Sequence, residues 1–223
     1  MPSEHSNGTD ILVAQGLVKH FPINQSGLFK KKWVVVRAVD GIDFKVQRGE
    51  CLGLVGESGS GKSTTAYMTI GTYGPTGGKL TFKGEDIARP AVQRPMHLKK
   101  DLQIVFQDPG SSLNPRRSIG DILEMPLRVH DMVGHGQSVQ SRVIELLDMV
   151  ELPAEYRFKS SSTIGGGERQ MVAIARALAT DPSCIILDEP TSALDVSVQG
   201  KIINTLMRIQ KEFDLTYLFI THD

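Results

Sequence analysis

The sequence predicts an α/β fold with three parts: a core built on a parallel sheet, a small antiparallel β region and a helical insertion. Three observations predict it. A short apolar run, Cys51–Val55, is followed by a glycine-rich loop and then by a stretch that can form a helix. Two further apolar runs, at residues 102–106 and 184–187, have the length of buried strands in a parallel sheet. Between these two runs the apolar residues recur with helical spacing.

The first hundred residues are predicted to be mainly β-strand. Residues 1–10 are polar and predict a disordered lead-in. The predicted strands are rich in apolar and β-branched residues and cover residues 11–18, 33–39, 41–46 and 79–83. We expect an exposed loop at residues 24–32, a turn at Asp40 and Gly41, and a second turn at residues 47–50. These strands form the small antiparallel β region.

The second half is predicted to be mainly helical around the core strands. Helical spacing predicts helices at residues 119–128 and 139–150, with Pro126, Gly134 and Gly136 as separators. A strongly amphipathic helix is expected at residues 168–179. Asp195 is predicted to cap a helix that runs to about residue 213, and residues 215–220 form a last apolar strand.

Composition limits the function classes. The 223 residues can hold one α/β domain with a core and a small subdomain. The 25 basic and 25 acidic side chains balance, which argues against a general nucleic-acid binder. The polar start predicts no signal peptide, and no run reaches the roughly 20 apolar residues that span a bilayer. We therefore expect a soluble protein, with Cys51 and Cys184 as buried thiols in a reducing compartment.

The loop after the first core strand matches the phosphate-binding pattern G-x-x-x-x-G-K-[ST] at every fixed position. Its residues are Gly56, Glu57, Ser58, Gly59, Ser60, Gly61, Lys62 and Ser63, and Thr64 follows. Glycines let backbone N–H groups turn toward an anion, and the next helix adds positive charge at its N-terminus. Lys62 would reach the β- and γ-phosphates, and Ser63 would bind Mg²⁺. The alternative, a glycine- and serine-rich turn with an incidental lysine, is disfavoured by the strand and helix on either side.

Two carboxylates, Asp188 and Glu189, end the apolar run at residues 184–187. In open α/β sheets, ligands bind at the carboxyl ends of the strands. Asp188 could hold Mg²⁺ directly or through water, and Glu189 could orient and deprotonate a water that attacks the γ-phosphate. The alternative is an acidic strand end at a solvated turn, which the upstream phosphate loop disfavours.

Taken in order along the chain, these segments resemble the ABC-type ATPases. The matching segments are residues 56–63, Gln107, residues 164–168, residues 187–191, residues 192–195 and residues 221–223. Residues 36–41, 105–109 and 112–116 look like the ATP-binding subunits of oligopeptide and dipeptide importers. The resemblance implies a P-loop NTPase core within a nucleotide-binding domain at residues 11–223, with a helical subdomain at about residues 108–171. It also implies that the chain is shortened after the His222 region.

The resemblance implies roles for further residues. Phe21 matches the aromatic position that stacks on adenine, although a plain core aromatic is an alternative. Gln107 would sense the Mg²⁺–water cluster and couple it to the transmembrane partner; otherwise it is a polar strand end. His222 would donate a hydrogen bond to the γ-phosphate. Asp195 would help form a dimer contact near the opposing site.

One motif departs from the family pattern. Where the family has Leu-Ser-Gly-Gly-Gln, this chain has Ile164, Gly165, Gly166, Gly167 and Glu168. Gly165 lacks a hydroxyl, and Glu168 adds a negative charge near a polyanion. The helix N-terminus and the glycine amides keep some anion affinity, while the lost contact costs on the order of 1–3 kcal/mol. Because this motif acts across a dimer in the family, we expect an asymmetric pair in which the partner's site is weakened.

The resulting expectation is an enzyme that uses ATP and Mg²⁺ to power import of short peptides or a related solute. Its partners would be transmembrane permease subunits and, as a homo- or heterodimer, another ABC ATPase subunit, at the cytoplasmic face of the plasma membrane. One alternative is a soluble ABC ATPase acting on nucleic acid or the ribosome. Those relatives have two cassettes or a long coiled coil, neither of which this chain has, so no nucleic acid is expected. A low-turnover, nucleotide-gated interaction module is the other alternative.

Overall fold

The computed structural model describes residues 10–27, 30–134, 137–192 and 194–222, without the side chains of residues 25–27 and 30–32. Residues 1–9, most of the predicted disordered lead-in, and Gly136, a predicted separator, lie outside the described residues. None of the helices within these ranges is long and apolar enough to cross a lipid bilayer.

The described chain alternates strands and helices after an initial β hairpin. In chain order the strands are β1 (Asp10–Gly27), β2 (Lys30–Gln47), β3 (Cys51–Val55), β4 (Gly77–Phe82), β5 (Glu85–Asp86), β6 (Leu102–Val105), β7 (Cys184–Asp188) and β8 (Thr216–Thr221). The α-helices are α1 (Lys62–Ile70), α2 (Met96–Asp101), α3 (Pro109–Ser112), α4 (Ile119–Val129), α5 (Val139–Met149), α6 (Gly166–Leu178) and α7 (Val196–Phe213). Short 3₁₀ helices lie at Ala91–Gln93, Ala154–Phe158 and Ser161–Thr163.

The described strands form two four-stranded sheets. One is antiparallel, in the order β2-β1-β4-β5, and the other is parallel, in the order β3-β8-β7-β6. The predicted α/β fold with a small antiparallel β region is therefore confirmed. In the parallel sheet the paired strands are β3 and β8, β6 and β7, and β7 and β8. A long crossover connects the two strands of each pair along the chain, as parallel pairing requires.

The hairpin of β1 and β2 corrects two predictions. The loop expected at residues 24–32 is wrong for its described part, because both strands continue there in one antiparallel ladder. The turn expected at Asp40 and Gly41 is also wrong, because β2 runs through it. The extra residue is absorbed as an irregularity between the pairs Leu17–Ile42 and Val18–Asp40, where Gly41 takes a φ of 80°.

The parallel sheet separates two apolar clusters. Alternate residues of β7 point to opposite faces: Ile186 joins the cluster with α1 and the antiparallel sheet, whereas Ile185 and Leu187 join the cluster with α4 to α7. Cys184 is buried as predicted. The prediction that Cys51 is buried is wrong: it lies on β3, the first strand of this sheet, and it is exposed.

Helices α3, α4 and α5 occupy the segment that was predicted to be helical. Helix α4 begins after Ser118, whose hydroxyl accepts the Asp121 N–H while the Asp121 carboxylate accepts the Ser118 N–H. Pro126 lies inside α4, so its prediction as a separator is wrong. The buried contacts of Leu123 and Leu127 on either side outweigh the local cost of a proline in a helix.

Candidate phosphate-binding and hydrolytic site

The phosphate loop joins the edge strand β3 to helix α1, which begins at Lys62. Gly61 takes a φ of 96°, and a Cβ added there would lie 2.2 Å from the carbonyl oxygen of Ala38. Only glycine fits this position, because any side chain would collide with the backbone of β2. The close approach of β2 therefore requires the glycine of the loop sequence. The Lys62 amine lies across the loop and donates to the carbonyl oxygens of Gly56 at 2.6 Å and Glu57 at 2.8 Å.

A cleft of about 490 Å³ opens over this loop. It is lined by Val36, Arg37, Ala38, Ser58, Gly59, Gly61, Lys62, Ser63, Thr64, Gln107, Glu189 and His222. Nine of these twelve residues were predicted as site residues from the sequence. Gly56 and Ser60 belong to the same loop, and a Cβ at Gly56 would lie 3.0 Å from the Ser60 hydroxyl.

The buried carboxylate of Asp188 reaches the loop from the end of β7. The Ser63 hydroxyl donates to Asp188 Oδ1 at 3.1 Å. Oδ2 is buried and accepts no hydrogen bond of ordinary geometry from the described residues. Burial raises the pKa of Asp188 more than the Ser63 hydroxyl and a weaker interaction with the Tyr67 hydroxyl lower it. A hydroxyl beside a carboxylate with an unused oxygen is a donor set that suits Mg²⁺.

Three neighbouring strand ends bring Gln107, Glu189 and His222 together. These residues follow β6, β7 and β8, whose carboxyl ends meet at the same edge of the parallel sheet. Gln107 Nε2 donates to Glu189 Oε2 at 2.8 Å, and His222 Nδ1 lies 3.0 Å from the same oxygen. Because a carboxylate only accepts, this pair assigns the proton of the imidazole to Nδ1. Glu189 takes a φ of 45°, and its N–H donates to the carbonyl oxygen of Ile220.

Phe21 is not among the described residues that line the cleft. Its ring packs edge-on against Tyr73, with the ring centroids 5.3 Å apart, and Lys19 Nζ lies 5.1 Å from its centroid. Its partner across the hairpin, Val36, does line the cleft. Adenine stacking by Phe21 remains a prediction, beside the alternative of an aromatic packing role.

The glycines of the altered motif lie at the start of α6, outside the described lining of the cleft. The Gly165 N–H donates to Glu168 Oε2 at 2.7 Å, and the Tyr156 hydroxyl donates to Oε1. These two bonds, the tyrosine first, lower the pKa of Glu168. Gly166 lines a smaller cavity of about 220 Å³ that it shares with Gln107. The carboxylate at position 168 therefore occupies the N-terminal end of its own helix.

Asp195 has the predicted capping role. Its Oδ1 accepts the Val198 N–H at 3.0 Å and the Ser197 hydroxyl at 2.6 Å. Helix α7 begins at the next residue. These bonds, the Ser197 hydroxyl first, lower the pKa of Asp195. Its expected contact with a second subunit stays a prediction.

The sequence reasoning missed several residues at or near the site. Arg37 lines the cleft. The hydroxyl oxygen of Ser192 lies 3.3 Å from Gln107 Nε2. The Arg94 guanidinium is buried against the last turn of α1 and donates to the carbonyl oxygens of Met68 and Thr69. Burial lowers the pKa of Arg94 to about 10. Ser192 lies three residues after Glu189, which is a usable signal, whereas Arg94 has no local signature.

Comparison with known proteins matches this architecture. The family model described as ABC transporter matches residues 39–192. The oligopeptide transport ATP-binding protein AppF of Bacillus subtilis (strain 168) is 45% identical over 98% of this chain and 66% of its own length. The glutathione import ATP-binding protein GsiA of Escherichia coli O1:K1 is 43% identical over 97% of this chain and 34% of its own length. The chain thus spans about two thirds of one relative and a third of the other.

A solved structure agrees with these relatives. The dimeric post-hydrolysis state of the ATP-binding cassette MJ0796, bound to ADP and Pi, superposes with a TM-score of 0.80 at 27% identity. The superposition covers 96% of this chain and 88% of the other. The family model, the relatives and the solved structure all identify ABC-type ATP-binding proteins. The chain belongs to the ABC transporter family.

Proposed function

We propose that this chain is the ATP-binding and ATP-hydrolysing subunit of an importer. The observation that carries the proposal is the meeting of Gln107, Glu189 and His222 at three strand ends, in a cleft that Lys62 also lines. A lysine cation and a carboxylate that can accept a proton, around one cleft, support the binding and hydrolysis of a triphosphate there. The names of the relatives, which import oligopeptides and glutathione, support short peptides or a related solute as cargo.

Lys62, Ser63 and Asp188 form the binding side of the site. Lys62 exchanges the carbonyl oxygens of its own loop for phosphate oxygens, and the N-terminus of α1 favours the negative charge. Ser63, Asp188 and Gln107 would hold Mg²⁺, which supplies positive charge against the phosphates. Asp188 Oδ2, which accepts no hydrogen bond of ordinary geometry from the described residues, supports this assignment.

Glu189 forms the hydrolytic side. Its carboxylate orients a water for in-line attack and accepts the proton of that water. Gln107 and the Nδ1–H of His222 both hold Oε2, which leaves Oε1 to accept the proton. His222 would also donate to the γ-phosphate after a change of partner, and Phe21 would stack on the adenine.

The family and the helical segment support a proposal for the assembly. We place the chain at the cytoplasmic face of the plasma membrane, as one of two ATPase subunits bound to transmembrane permease subunits. The helical segment, about residues 108–171, is the part that would contact the permease. Its surface exposes Met125 and Val129 on α4 and Phe158 on the following 3₁₀ helix, which supports a contact there.

The altered motif at residues 164–168 would make the ATPase pair asymmetric. The chain has its own phosphate loop and acidic pair, but Gly165 offers no hydroxyl to nucleotide on the partner. Its N–H is already bonded to Glu168. A Cβ at Gly165 would lie 3.5 Å from Glu168 Oε2, an ordinary contact, so Gly165→Ser is tolerated by packing. In mixed dimers, this variant should raise turnover; no rise would count against the asymmetric pair.

Steady-state ATP hydrolysis by the purified chain and its Glu189→Gln variant tests the enzymatic proposal. Glutamine keeps the shape but cannot accept the proton, so we expect hydrolysis to fall by about 10²–10⁴-fold while nucleotide still binds. Glu212→Gln, a change at an exposed glutamate on α7, is the matched control. If the wild type hydrolyses as little as Glu189→Gln, the chain is a nucleotide-gated module and the enzymatic proposal fails.

Copurification tests the transport role separately. A permease subunit in the purified complex, with ATP hydrolysis stimulated by reconstitution in vesicles, is the expected result. Ribosomes or nucleic acid in its place would support the soluble alternative and contradict the importer.

A further inference from the structure

The segment that follows Glu189 is a turn with weak internal bonds. It covers residues 189–195, of which residue 193 lies outside the described structure, and we call it the post-acidic loop. Its backbone bonds are long: Ser192 N–H to Glu189 at 3.3 Å and Leu194 N–H to Thr191 at 3.2 Å. The loop begins with the left-handed backbone of Glu189, a conformation that non-glycine residues adopt only when neighbours impose it.

The side chain of Gln199, on α7, is hydrogen-bonded to this loop. Its Nε2 donates to the carbonyl oxygens of Thr191 at 3.0 Å and Leu194 at 2.9 Å. One amide nitrogen has two hydrogens, so both are used to hold two points of the loop. Gln199 lies on the first turns of α7, a helix that is itself anchored by the Asp195 cap and by buried Ile202.

Ser192 connects the post-acidic loop to Glu189, the proposed hydrolytic carboxylate. The Ser192 hydroxyl lies 3.3 Å from Gln107 Nε2, the same nitrogen that donates to Glu189 Oε2. The Ser192 hydroxyl also donates to the Glu189 carbonyl oxygen at 3.2 Å. A shift of the loop therefore changes the position of both Glu189 and the amide that orients it.

We propose that Gln199 is a positioning residue for ATP hydrolysis: its amide holds the post-acidic loop in the shape that orients Glu189 and Gln107. This inference rests on the proposed ATPase function. Gln199 is not among the described residues that line the phosphate cleft; it lines a neighbouring space of about 260 Å³, as do Glu189 and His222. Its loss should therefore affect the rate of hydrolysis and leave nucleotide binding unchanged.

The test compares Gln199→Met with Gln210→Met in the complete chain. Methionine keeps the size of glutamine but cannot donate. Gln210 is a matched control, because it is also half-buried on α7 and donates its Nε2 to a remote backbone carbonyl, that of Gly49 at 3.1 Å. We expect Gln199→Met to lower kcat by roughly 10- to 100-fold, the usual cost of freeing a catalytic group, with KM for ATP unchanged. Gln210→Met should leave both constants unchanged.

Two further measurements separate positioning from general stability. Gln199→Lys restores a donor to the site and should recover most of kcat. If Gln199→Met lowered kcat only by destabilising the fold, restoring a donor would not recover it. Hydrogen exchange of the Ser192 and Leu194 amides should be faster in Gln199→Met and unchanged in Gln210→Met.

Each outcome decides a separate point. A Gln199→Met variant with normal kcat and normal exchange overturns the inference. If Gln199→Met fails to fold, Gln199→Leu, which also lacks a donor, takes its place in both measurements. Normal kcat in that variant, with or without faster loop exchange, again overturns the inference. A wild type without hydrolysis refutes the proposed function instead, and loop exchange alone then tests whether Gln199 holds the loop.

Discussion

Gln107 donates a hydrogen bond of 2.8 Å to Glu189, although 82 residues separate them in the sequence. The parallel pairing of β6 and β7 explains the contact, because both residues follow the same edge of the sheet. Gln107 also begins the segment that leads into α3 and the helical segment. A movement of those helices can therefore reach the Glu189 carboxylate through one amide.

The first prediction concerns that amide. Gln107→Met removes the donor at Glu189 Oε2 and should lower kcat for ATP hydrolysis by roughly 10- to 100-fold with a smaller effect on KM, because Glu189 loses its orientation. Gln103→Met, which removes an amide bonded to the Lys99 carbonyl on α2, is the control. Equal kcat in Gln107→Met and wild type, measured by phosphate release, would contradict the role.

The second prediction concerns the stability cost of Asp188. Burial raises its pKa in the folded chain, so above the unfolded value of 3.8 its negative charge lowers folding stability. Asp188→Asn removes that charge and should raise stability at pH 7 by about 1 kcal/mol, or about 2–4 °C in Tm. The same variant should lose Mg²⁺-dependent hydrolysis.

Thermal unfolding without nucleotide measures this effect. Asp148→Asn, at an exposed aspartate on α5, should leave Tm unchanged. A lower Tm in Asp188→Asn would contradict this prediction. It would show that interactions within the fold already offset the cost of burying the Asp188 charge.

The third prediction is a pH dependence at Glu168. The Tyr156 hydroxyl and then the Gly165 N–H lower its pKa, so its carboxylate adds stability above the unfolded value of 4.5 and loses it as pH falls through the folded pKa. Glu168→Gln should therefore be less stable than wild type at pH 7, by less than about 1 kcal/mol since the group is partly exposed. The difference should disappear in acid.

Urea unfolding at pH 7 and at progressively lower pH measures this difference. Glu155→Gln, an exposed neighbour on the 3₁₀ helix, serves as control. A difference between Glu168→Gln and wild type that is independent of pH would show that packing, not charge, holds this residue.

The fourth prediction concerns the packing of α6 on α7. A Cβ at Gly167 would lie 2.4 Å from Val198 Cγ1, and valine has little rotamer freedom in a helix. Gly167→Ala should destabilise the chain by about 1–3 kcal/mol. Val198→Ala in the same chain should relieve most of that cost. Gly200→Ala, where an added Cβ meets nothing within 4 Å, should stabilise slightly and is the control.

A double-mutant cycle on unfolding free energies measures the coupling between Gly167 and Val198. Strictly additive effects of the two substitutions would contradict the close approach of α6 and α7.

Local patterns were sufficient to predict the phosphate loop, the acidic pair and the helix cap at Asp195. The pattern around Lys62 has a fixed spacing, and Asp195 has a cap chemistry that acts within its own turn. The sequence also allows the meeting of Gln107, Glu189 and His222 to be predicted, because each residue follows the end of an apolar strand. Such features depend on neighbours in sequence or on the common edge of a parallel sheet.

Other features depend on long-range contacts that periodicity does not reveal. Cys51 has the apolar neighbours of a buried strand, but its exposure follows from the place of β3 in the sheet order. The ladder between β1 and β2 overrides turn residues such as Gly41. Likewise, the contacts of Gln199 and Arg94 with distant carbonyls have no sequence signature.

The most direct test of the central claim is calorimetric titration of MgATP into the purified chain and its Lys62→Ala variant, with Lys45→Ala on the exposed face of β2 as control. The cleft over the phosphate loop predicts binding by the wild type and by Lys45→Ala. Lys62→Ala should bind at least about tenfold more weakly, since it loses charge-assisted bonds to phosphate. No binding by the wild type, or equal affinity in Lys62→Ala, would contradict a triphosphate held by this loop.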